Sequence, residues 1–242
     1  MKMAPQYLTI MIIFLSISSC LARVEPKPSL ARHKSQITPN QTKTEIETQA
    51  QTRNKTMAYI ESSCQGTRYP DLCMRSLASF AKYSNVVGPD HLAHIALSVS
   101  LVKALQTRGY LLKVVKEIEE INKGSEPGLA YLTMQDCEKQ ISDSVDQLSQ
   151  AIKELRRVNK GTIIDDKMLW HISNVETWVS TALTDASYCV QSFPGHRMSK
   201  RTATIKSKAQ NVAEVTSNGL ALFHKYAARY KAAAAARAAK RP

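Results

Sequence analysis

The sequence has little glycine, few aromatic residues and no long alternation of apolar with polar residues. Eight glycines and four phenylalanines occur among 242 residues, and aromatic side chains make up 6% of the chain. Sheet proteins need short alternating segments separated by turn residues, and that pattern is missing. The chain is therefore predicted to be all-α.

The sequence also lacks the short motifs that accompany common catalytic chemistries. It contains no Gly-x-Ser-x-Gly elbow, glycine-rich phosphate loop, dinucleotide fingerprint or His-Glu-x-x-His pair. His91 and His94 lie three residues apart, but two ligands do not make a metal site. Asp165 and Asp166 are adjacent, which suits a helix cap better than a facing catalytic pair. We therefore expect no enzymatic activity, no metal and no cofactor.

Residues 1–22 have the organisation of a cleavable secretory signal. Lys2 precedes an apolar run from Leu8 to Ile17, which is followed by the small-residue pattern Cys20-Leu21-Ala22. The apolar run has about ten residues, whereas a membrane-spanning helix needs about 20. We expect a secreted protein with no membrane segment in its mature form.

Residues 23–57 are rich in Thr, Gln, Lys and Pro and poor in large apolar side chains. Such a segment cannot bury enough surface to offset its chain entropy, so it is predicted to be a flexible arm. It carries two sequons, at Asn40 and Asn54. Both are candidate glycosylation sites in a secreted protein.

The net charge of +13 is concentrated at the two ends of the chain. Residues 1–57 hold eight Lys or Arg against three acidic residues, and residues 225–242 hold six against none. The segment between them has nineteen basic and seventeen acidic residues, so the predicted domain is nearly neutral. Nucleic-acid binders carry their basic excess on the fold itself, so we expect no nucleic-acid partner. The basic ends suit either weak adhesion to an acidic matrix or solubility alone.

Four long helical patterns occupy most of residues 58–230, the predicted domain. They run from Asp90 to Lys123, from about Pro127 to Asn159 with Ser125 as cap, from Asp165 or Asp166 to about Cys189, and from about Thr204 to Tyr230. The first helix is expected to point these apolar residues inward: Leu92, Ile95, Val99, Val102, Leu105, Leu112, Val115, Ile118 and Ile121. Short loops between the four helices predict an antiparallel four-helix bundle. The basic, alanine-rich tail, residues 231–242, has no apolar face and is expected to fray.

Four cysteines remain once the signal is removed, an even number that predicts two disulfides in an oxidising compartment. If the second and third helices form a hairpin that turns near residues 161–163, Cys137 and Cys189 lie side by side. That pairing, one of three possible connectivities, leaves Cys64 and Cys73 to close their own short loop. The bundle is therefore expected to be preceded by a disulfide-stapled N-terminal helical hairpin.

A family resemblance rests on five spaced segments: SCQGTRYPDLCMRSL, HLAHIALSVSL, DCEKQISDSVDQL, VETWVSTALTDASYC and VTSNGLAL. They lie between Ala58 and Leu222, and this stretch resembles the plant inhibitors of pectin methylesterase and of cell-wall or vacuolar invertase. The resemblance implies a helical hairpin followed by a four-helix bundle, with first-to-second and third-to-fourth disulfides. It also implies a protein of the apoplast or cell wall that docks on its target enzyme and blocks the substrate cleft.

Pectin methylesterase is the expected target, because a Pro-Lys-Phe triplet associated with some invertase inhibitors is absent. Two alternatives stay open. One is an inhibitor of cell-wall or vacuolar invertase on the same scaffold. The other is a non-inhibitory basic cell-wall protein that adheres weakly to acidic pectin through its basic ends.

Two polar stripes on the second and third long helices form the expected contact face. Their members are Lys139, Asp143, Asp146 and Gln150 on one helix, and Thr177, Thr181, Thr184, Tyr188 and Gln191 on the other. In the pectin methylesterase inhibitors, the residues matching positions 139, 143, 146 and 191 are often acidic and pair with the enzyme. Lys139 and Gln191 depart from that pattern, and Tyr188 replaces a common Thr, so a shifted partner range is expected. An ordinary solvated face is the alternative interpretation.

Overall fold

The computed structural model of the protein describes residues 39–82, 86, 88–124, 126, 128–160, 165–193 and 198–239. The chain divides into two compact units, Met1–Thr44 and Glu45–Pro242, and the helical bundle belongs to the second. Three predicted features lie outside the described residues: the signal segment, the cap Ser125 with Pro127, and the turn at residues 161–163.

The described ranges form six α-helices and one short 3₁₀ helix, with no strand among them. The helices are α1 (Pro39–Cys64), α2 (Pro70–Leu77), α3 (Pro89–Ile121), α4 (Leu129–Lys160), α5 (Asp166–Gln191) and α6 (Lys200–Ala238), and the 3₁₀ helix Ala78–Lys82 follows α2. From α3 to α6 each helix packs on the next, and α6 packs back on α3. The prediction of an all-α, antiparallel four-helix bundle is confirmed.

Side-chain caps fix where α5 and α6 begin. The Asp165 carboxylate accepts a hydrogen bond of 2.8 Å from the backbone N–H of Met168, as the predicted cap requires. Ser199 Oγ accepts one of 3.1 Å from the N–H of Thr202. Helix α6 therefore starts directly after this serine, before the expected start near Thr204.

Two disulfides tie helices together. Cys64 at the end of α1 is bonded to Cys73 in α2, with the Cα atoms 5.6 Å apart. Cys137 in α4 is bonded to Cys189 in α5, with the Cα atoms 4.5 Å apart. These are the pairs that the hairpin argument predicts, and all four cysteines are buried.

The N-terminal hairpin, α1 and α2, is held on the bundle by one buried amide. Asn218 of α6 is 3% exposed. Its Nδ2 donates to the Tyr69 carbonyl at 2.9 Å, and its Oδ1 accepts from the Tyr69 N–H at 3.0 Å. Apolar side chains of the hairpin, including Ile60 and Leu77, share a buried cluster with Leu222 of α6. The backbone of the turn between α1 and α2 is thus satisfied by the last helix.

Helix α1 includes part of the arm predicted at residues 23–57. From Pro39 onward the chain is helical instead of irregular, although most of the described side chains before the last turns are exposed. The end of α1 is fixed by the Cys64 disulfide and by burial of Ile60. A fixed turn removes the nucleation cost for the residues before it, so the described part of the arm is helical. The flexibility of residues 23–57 stays a prediction.

Helix α6 continues through the alanine-rich tail to Ala238, beyond the expected end at Tyr230. Alanine has the highest helix propensity. In addition, Lys231 Nζ donates hydrogen bonds of 2.7 and 2.9 Å to the Glu176 carboxylate on α5. This ion pair holds the start of the tail against the bundle. The fraying of the tail stays a prediction.

The apolar pattern of α3 misled the sequence prediction. Four residues expected to point inward are between 39% and 76% exposed: Val102, Leu105, Leu112 and Ile121. The buried face includes many small or hydroxyl-bearing residues: Ala93, Ala96, Ser100, Ala104 and Thr107. Small residues let α6 approach closely, since a Cβ on Gly219 would lie 3.1 Å from Leu97 Cδ2 and 3.3 Å from Ser100 Oγ. The close approach buries the small face and leaves larger apolar side chains outside.

Candidate partner-docking face

Helices α4 and α5 pack antiparallel in a register fixed by two cross-links. At one end Cys137 and Cys189 are bonded. Further along, Ser144 Oγ lies 3.0 Å from the Ala182 carbonyl of α5 and 3.0 Å from the Gln140 carbonyl of its own helix, so its one proton is shared between the two acceptors. Both links join residues whose numbers have the same sum, so the register is constant between them. Four pairs of outward residues depart from that register by one position, about 1.5 Å along a helix, and so lie at nearly the same level: Lys139 and Tyr188, Asp143 and Thr184, Asp146 and Thr181, and Gln150 and Thr177.

The nine residues predicted to form the contact face all reach the surface, and we call this surface the docking face. Thr181 is partly exposed and the other eight residues are exposed. Tyr188, at 55%, is among the large side chains that remain exposed. Gln191 borders an apolar groove whose lining includes Met134 and Phe193. The two predicted stripes are therefore one continuous surface.

The threonines of the docking face use their hydroxyl protons within α5. Thr177 donates to the Ser173 carbonyl at 2.9 Å, Thr181 to the Thr177 carbonyl at 3.0 Å, and Thr184 to the Ser180 carbonyl at 3.0 Å. Each hydroxyl is left with lone pairs and no free proton. Together with the two aspartates of α4, the threonines make the docking face rich in hydrogen-bond acceptors.

Asp185 lies beside the docking face, and the sequence analysis did not single it out. Burial raises the pKa of Asp185 above its ordinary value of 3.8, and the nearby Asp143 carboxylate raises it further. The two acids therefore oppose each other across the seam between α4 and α5. The stripe pattern gives little signal for Asp185, because it falls between the outward Thr184 and the buried Ala186.

A buried carboxylate joins α4 to α5 at the end opposite the disulfide. Glu154 is 1% exposed. It accepts hydrogen bonds from Arg157 Nη1 at 2.6 Å and Asn174 Nδ2 at 3.2 Å, and its Oε1 lies 2.5 Å from His171 Nδ1. The His171 ring meets the Trp170 ring edge-on, with the centroids 5.1 Å apart. His171 therefore binds a buried acid, a role that the sequence analysis did not assign to it.

The pKa of Glu154 lies below its ordinary value of 4.5. Burial acts to raise this pKa, but hydrogen bonds from His171, Asn174 and Arg157, together with the His171 charge, stabilise the carboxylate and outweigh the burial. The one sequence signal for this cluster is a glutamate set inside the apolar repeat of α4, directly before Leu155.

Within the described ranges, no three His, Cys, Asp or Glu side chains gather as a metal site would require. Burial lowers the pKa of His94, and the charges of Arg156 and His91 lower it further.

Among the described residues, no helix has the length and apolar character needed to cross a membrane.

Both predicted glycosylation sites lie on α1. Asn54 is exposed, and Asn40 belongs to the first turn of the helix. Their modification stays a prediction.

The fold is that of a disulfide-linked helical-bundle protein, and comparison with known proteins narrows this class. A family model described as plant invertase/pectin methylesterase inhibitor matches residues 58–222. Pectinesterase inhibitor 9 of Arabidopsis thaliana is 38% identical over 72% of this chain and 83% of its own length. The 21 kDa protein of Daucus carota is 35% identical over 72% and 86%. The chain therefore belongs to the plant invertase/pectin methylesterase inhibitor family.

A solved structure supports the fold independently. The crystal structure of a mutant form of a pectin methylesterase inhibitor from Arabidopsis aligns with a TM-score of 0.51 at 18% identity, covering 66% of this chain and 92% of that chain. Several relatives of this chain are named pectinesterase inhibitors, and the family to which the chain belongs is described as one of inhibitors, in agreement with the expectation that it is not an enzyme.

Proposed function

We propose that this protein is secreted into the cell wall and inhibits pectin methylesterase by docking on it and blocking its substrate cleft. The observation that carries the proposal is the docking face, a continuous exposed surface on two helices whose register is locked by Cys137–Cys189 and Ser144. Relatives named pectinesterase inhibitors support the choice of target. Such a face needs no chemistry of its own, because it acts by occupying the cleft.

Tyr188 is the proposed anchor at the disulfide end of the docking face. An ordinary interface buries about 800 Å² on each partner, and a few large side chains supply most of the affinity. Tyr188 is aromatic and 55% exposed. Because Lys139 lies nearly level with Tyr188, one position off the register of the two links, this end offers a ring and a cation. Asp143 and Asp146 offer acids, which suits a partner range different from that of an all-acidic face.

Charge reversal on α4 tests the proposal. Asp143→Lys combined with Asp146→Lys should weaken inhibition of purified pectin methylesterase by about tenfold or more, because both carboxylates lie on the face that meets the enzyme. Glu61→Lys reverses an exposed acid on α1, away from α4 and α5, and is the matched control. Inhibition is titrated for each variant. Undiminished inhibition by the double variant would rule out the docking face.

Invertase is the second candidate target, because the family description names both enzymes. The same titration with purified cell-wall and vacuolar invertases separates the two. If invertase is inhibited and pectin methylesterase is not, the first target is wrong and the docking face serves the second.

We also propose weak adhesion to acidic pectin through the basic ends. Residues 225–242 carry six basic and no acidic residues, and the part up to Ala238 projects as helix. Retention on immobilised pectin should fall steeply as salt is added. Replacing Arg237, Lys240 and Arg241 with Gln should reduce retention and leave inhibition unchanged. A non-inhibitory wall protein would show the retention but no inhibition of either enzyme.

A further inference from the structure

We propose that three exposed residues beyond the docking face, Lys153, Arg157 and Trp170, form a second anchor that binds an acidic patch on the target enzyme. We call these residues the Trp170 corner. The proposal rests on the inhibitory function proposed above and extends the same surface. It assigns contact roles to residues at the end of the α4–α5 pair that lies opposite the disulfide.

The register continues the docking face into this corner. Beyond Gln150 and Thr177, Lys153 lies nearly level with Asn174, and Arg157 lies nearly level with Trp170, one position off the register of the two links. Lys153, Arg157 and Trp170 are exposed and continue the helical spacing of the two stripes, so the corner lies on the same side of the two helices. Trp170 is 58% exposed, and the Arg157 side chain is 64% exposed. Tryptophan and arginine are among the residue types most enriched at interface hot spots, and both are exposed in this corner.

The corner is held rigid from below. The buried Glu154 carboxylate binds Arg157 Nη1 at 2.6 Å and His171 Nδ1 at 2.5 Å, and the His171 ring packs against the edge of the Trp170 ring. One carboxylate thus orients the arginine directly and the tryptophan through the histidine. Side chains that are already ordered lose less entropy on binding, so a partner meets these two with a smaller cost than free surface residues would impose.

The size of an ordinary interface favours the longer face. From Gln191 to Thr177, the docking face runs about 21 Å along α5, and adding Trp170 extends it to about 31 Å. An interface of about 800 Å² per partner is roughly 28 Å across. With the Trp170 corner included, the length of the face along α5 is comparable to that dimension.

The extended face carries acids and bases at different places. Asp143 and Asp146 lie in its middle, and Lys153 and Arg157 lie at one end. Complementary charges fix the orientation of docking partners as well as their rate of encounter. The matching surface on the enzyme is therefore basic opposite the aspartates and acidic opposite the Trp170 corner.

Trp170→Ala tests the aromatic part of the anchor. Trp170 is largely exposed, so its removal leaves the Glu154–His171 contact in place, and unfolding in urea checks that stability is kept. Affinity for pectin methylesterase should fall by about tenfold. Trp170→Phe should recover much of the loss, because a flat ring returns. Leu112→Ala removes a side chain of similar exposure, 50%, on α3 and should leave the affinity unchanged.

Lys153→Glu tests the charged part. It should weaken binding severalfold at low salt, and the difference from the unmodified protein should shrink as salt is added. Lys116→Glu, which reverses an exposed lysine on α3, is the control and should have no effect. Arg157 is left unchanged because its removal would also take a hydrogen bond from buried Glu154.

The outcomes separate the corner from the function. If Trp170→Ala and Lys153→Glu both bind as tightly as the unmodified protein while the Asp143→Lys, Asp146→Lys protein does not, the docking face stands and the corner is overturned. If these two variants lose binding to a soluble polygalacturonate fragment and keep binding to the enzyme, the corner is a sugar site and the proposal is wrong. If the unmodified protein binds no pectin methylesterase, the proposed function fails and the corner fails with it.

Discussion

The two ends of the α4–α5 pair are fastened by different chemistry. At one end a covalent bond joins Cys137 to Cys189. At the other, buried Glu154 gathers Arg157, Asn174 and His171 by hydrogen bonds. The first link is independent of pH, whereas the second depends on the ionisation of one carboxylate. Helices α4 and α5 are thus joined at one end by a covalent link that does not depend on pH and at the other by a hydrogen-bonded cluster that does. Variants at each end test this difference.

The largest expected effect belongs to the covalent end. Replacing Cys137 and Cys189 with Ala opens a loop with a sequence separation of 52, and the chain-entropy model gives a loss of about 4 kcal/mol in the free energy of unfolding. The Cys64 and Cys73 pair, with a separation of 9, should cost about 3 kcal/mol when removed in the same way. Urea unfolding of the two double variants measures both. A larger loss from the shorter loop would contradict the entropy argument.

Glu154→Gln should destabilise the other end by about 3 kcal/mol, because it removes the buried charge that three donors share. The measurement is urea unfolding at neutral pH. Glu120→Gln changes an exposed glutamate that pairs with exposed Lys123, and it should shift the free energy of unfolding by less than about 0.5 kcal/mol. If the two substitutions changed the free energy of unfolding equally, the buried Glu154 cluster would contribute no more stability than an exposed ion pair.

The stabilisation from Glu154 should depend on pH. Its pKa in the folded protein lies below the ordinary value of 4.5, so the folded state holds the ionised form more strongly than the unfolded chain does. The advantage over Glu154→Gln is complete above pH 4.5 and declines as the pH falls through the lowered pKa. Unfolding of both proteins across this range measures the difference. The loss on removing Cys137–Cys189 should stay nearly constant over the same range.

Ser144→Ala probes the middle of the pair. It removes the buried hydrogen bond to the Ala182 carbonyl and should cost about 1 kcal/mol of stability. Ser149→Ala is the control, since Ser149 Oγ donates only within α4, to the Val145 carbonyl. If both variants lose the same free energy of unfolding, the hydrogen bond between Ser144 and the Ala182 carbonyl contributes no stability beyond that of a bond within one helix.

The smallest expected effect is a gain in stability from Asp185→Asn. Burial and the Asp143 charge raise the pKa of Asp185 above 3.8, so its ionised form is disfavoured in the folded protein. Above the raised pKa the variant should melt at a slightly higher temperature than the unmodified protein, and below pH 3.8 the difference should vanish. A lower melting temperature at neutral pH would show that the Asp185 carboxylate is well accommodated.

The sequence was sufficient for features in which one residue dictates local geometry. Asp165 caps α5 because its carboxylate reaches the third N–H of the helix, and the spacing of Cys137 and Cys189 around the turn predicts their bond. The inward residues of α4, with Ile141 and Leu148 fully buried, follow the helical period. The nine residues of the docking face reach the surface for the same reason, since they lie on the sides of α4 and α5 opposite the buried stripes.

Apart from the Cys137–Cys189 bond, contacts that depend on a neighbouring helix were not predicted. Leu105 and Leu112 look like core residues until the small face of α3 proves to fit against Gly219. The role of Glu154 depends on Asn174 and His171, which lie on another helix. The sequence shows which side chains are present, but which of them meet across two helices depends on how the helices pack and on the register between them.

The committed hydroxyl protons of Thr177, Thr181 and Thr184 have a consequence for any enzyme that settles on this helix. Guanidinium, ammonium and amide N–H groups around the cleft of the enzyme could donate hydrogen bonds to the threonine hydroxyl oxygens. Peptide carbonyl oxygens at the edge of the cleft would face the lone pairs of these hydroxyls and be repelled. Two target isoforms with clefts of the same shape would thus bind with different affinities if one presents hydrogen-bond donors around the cleft and the other presents acceptors.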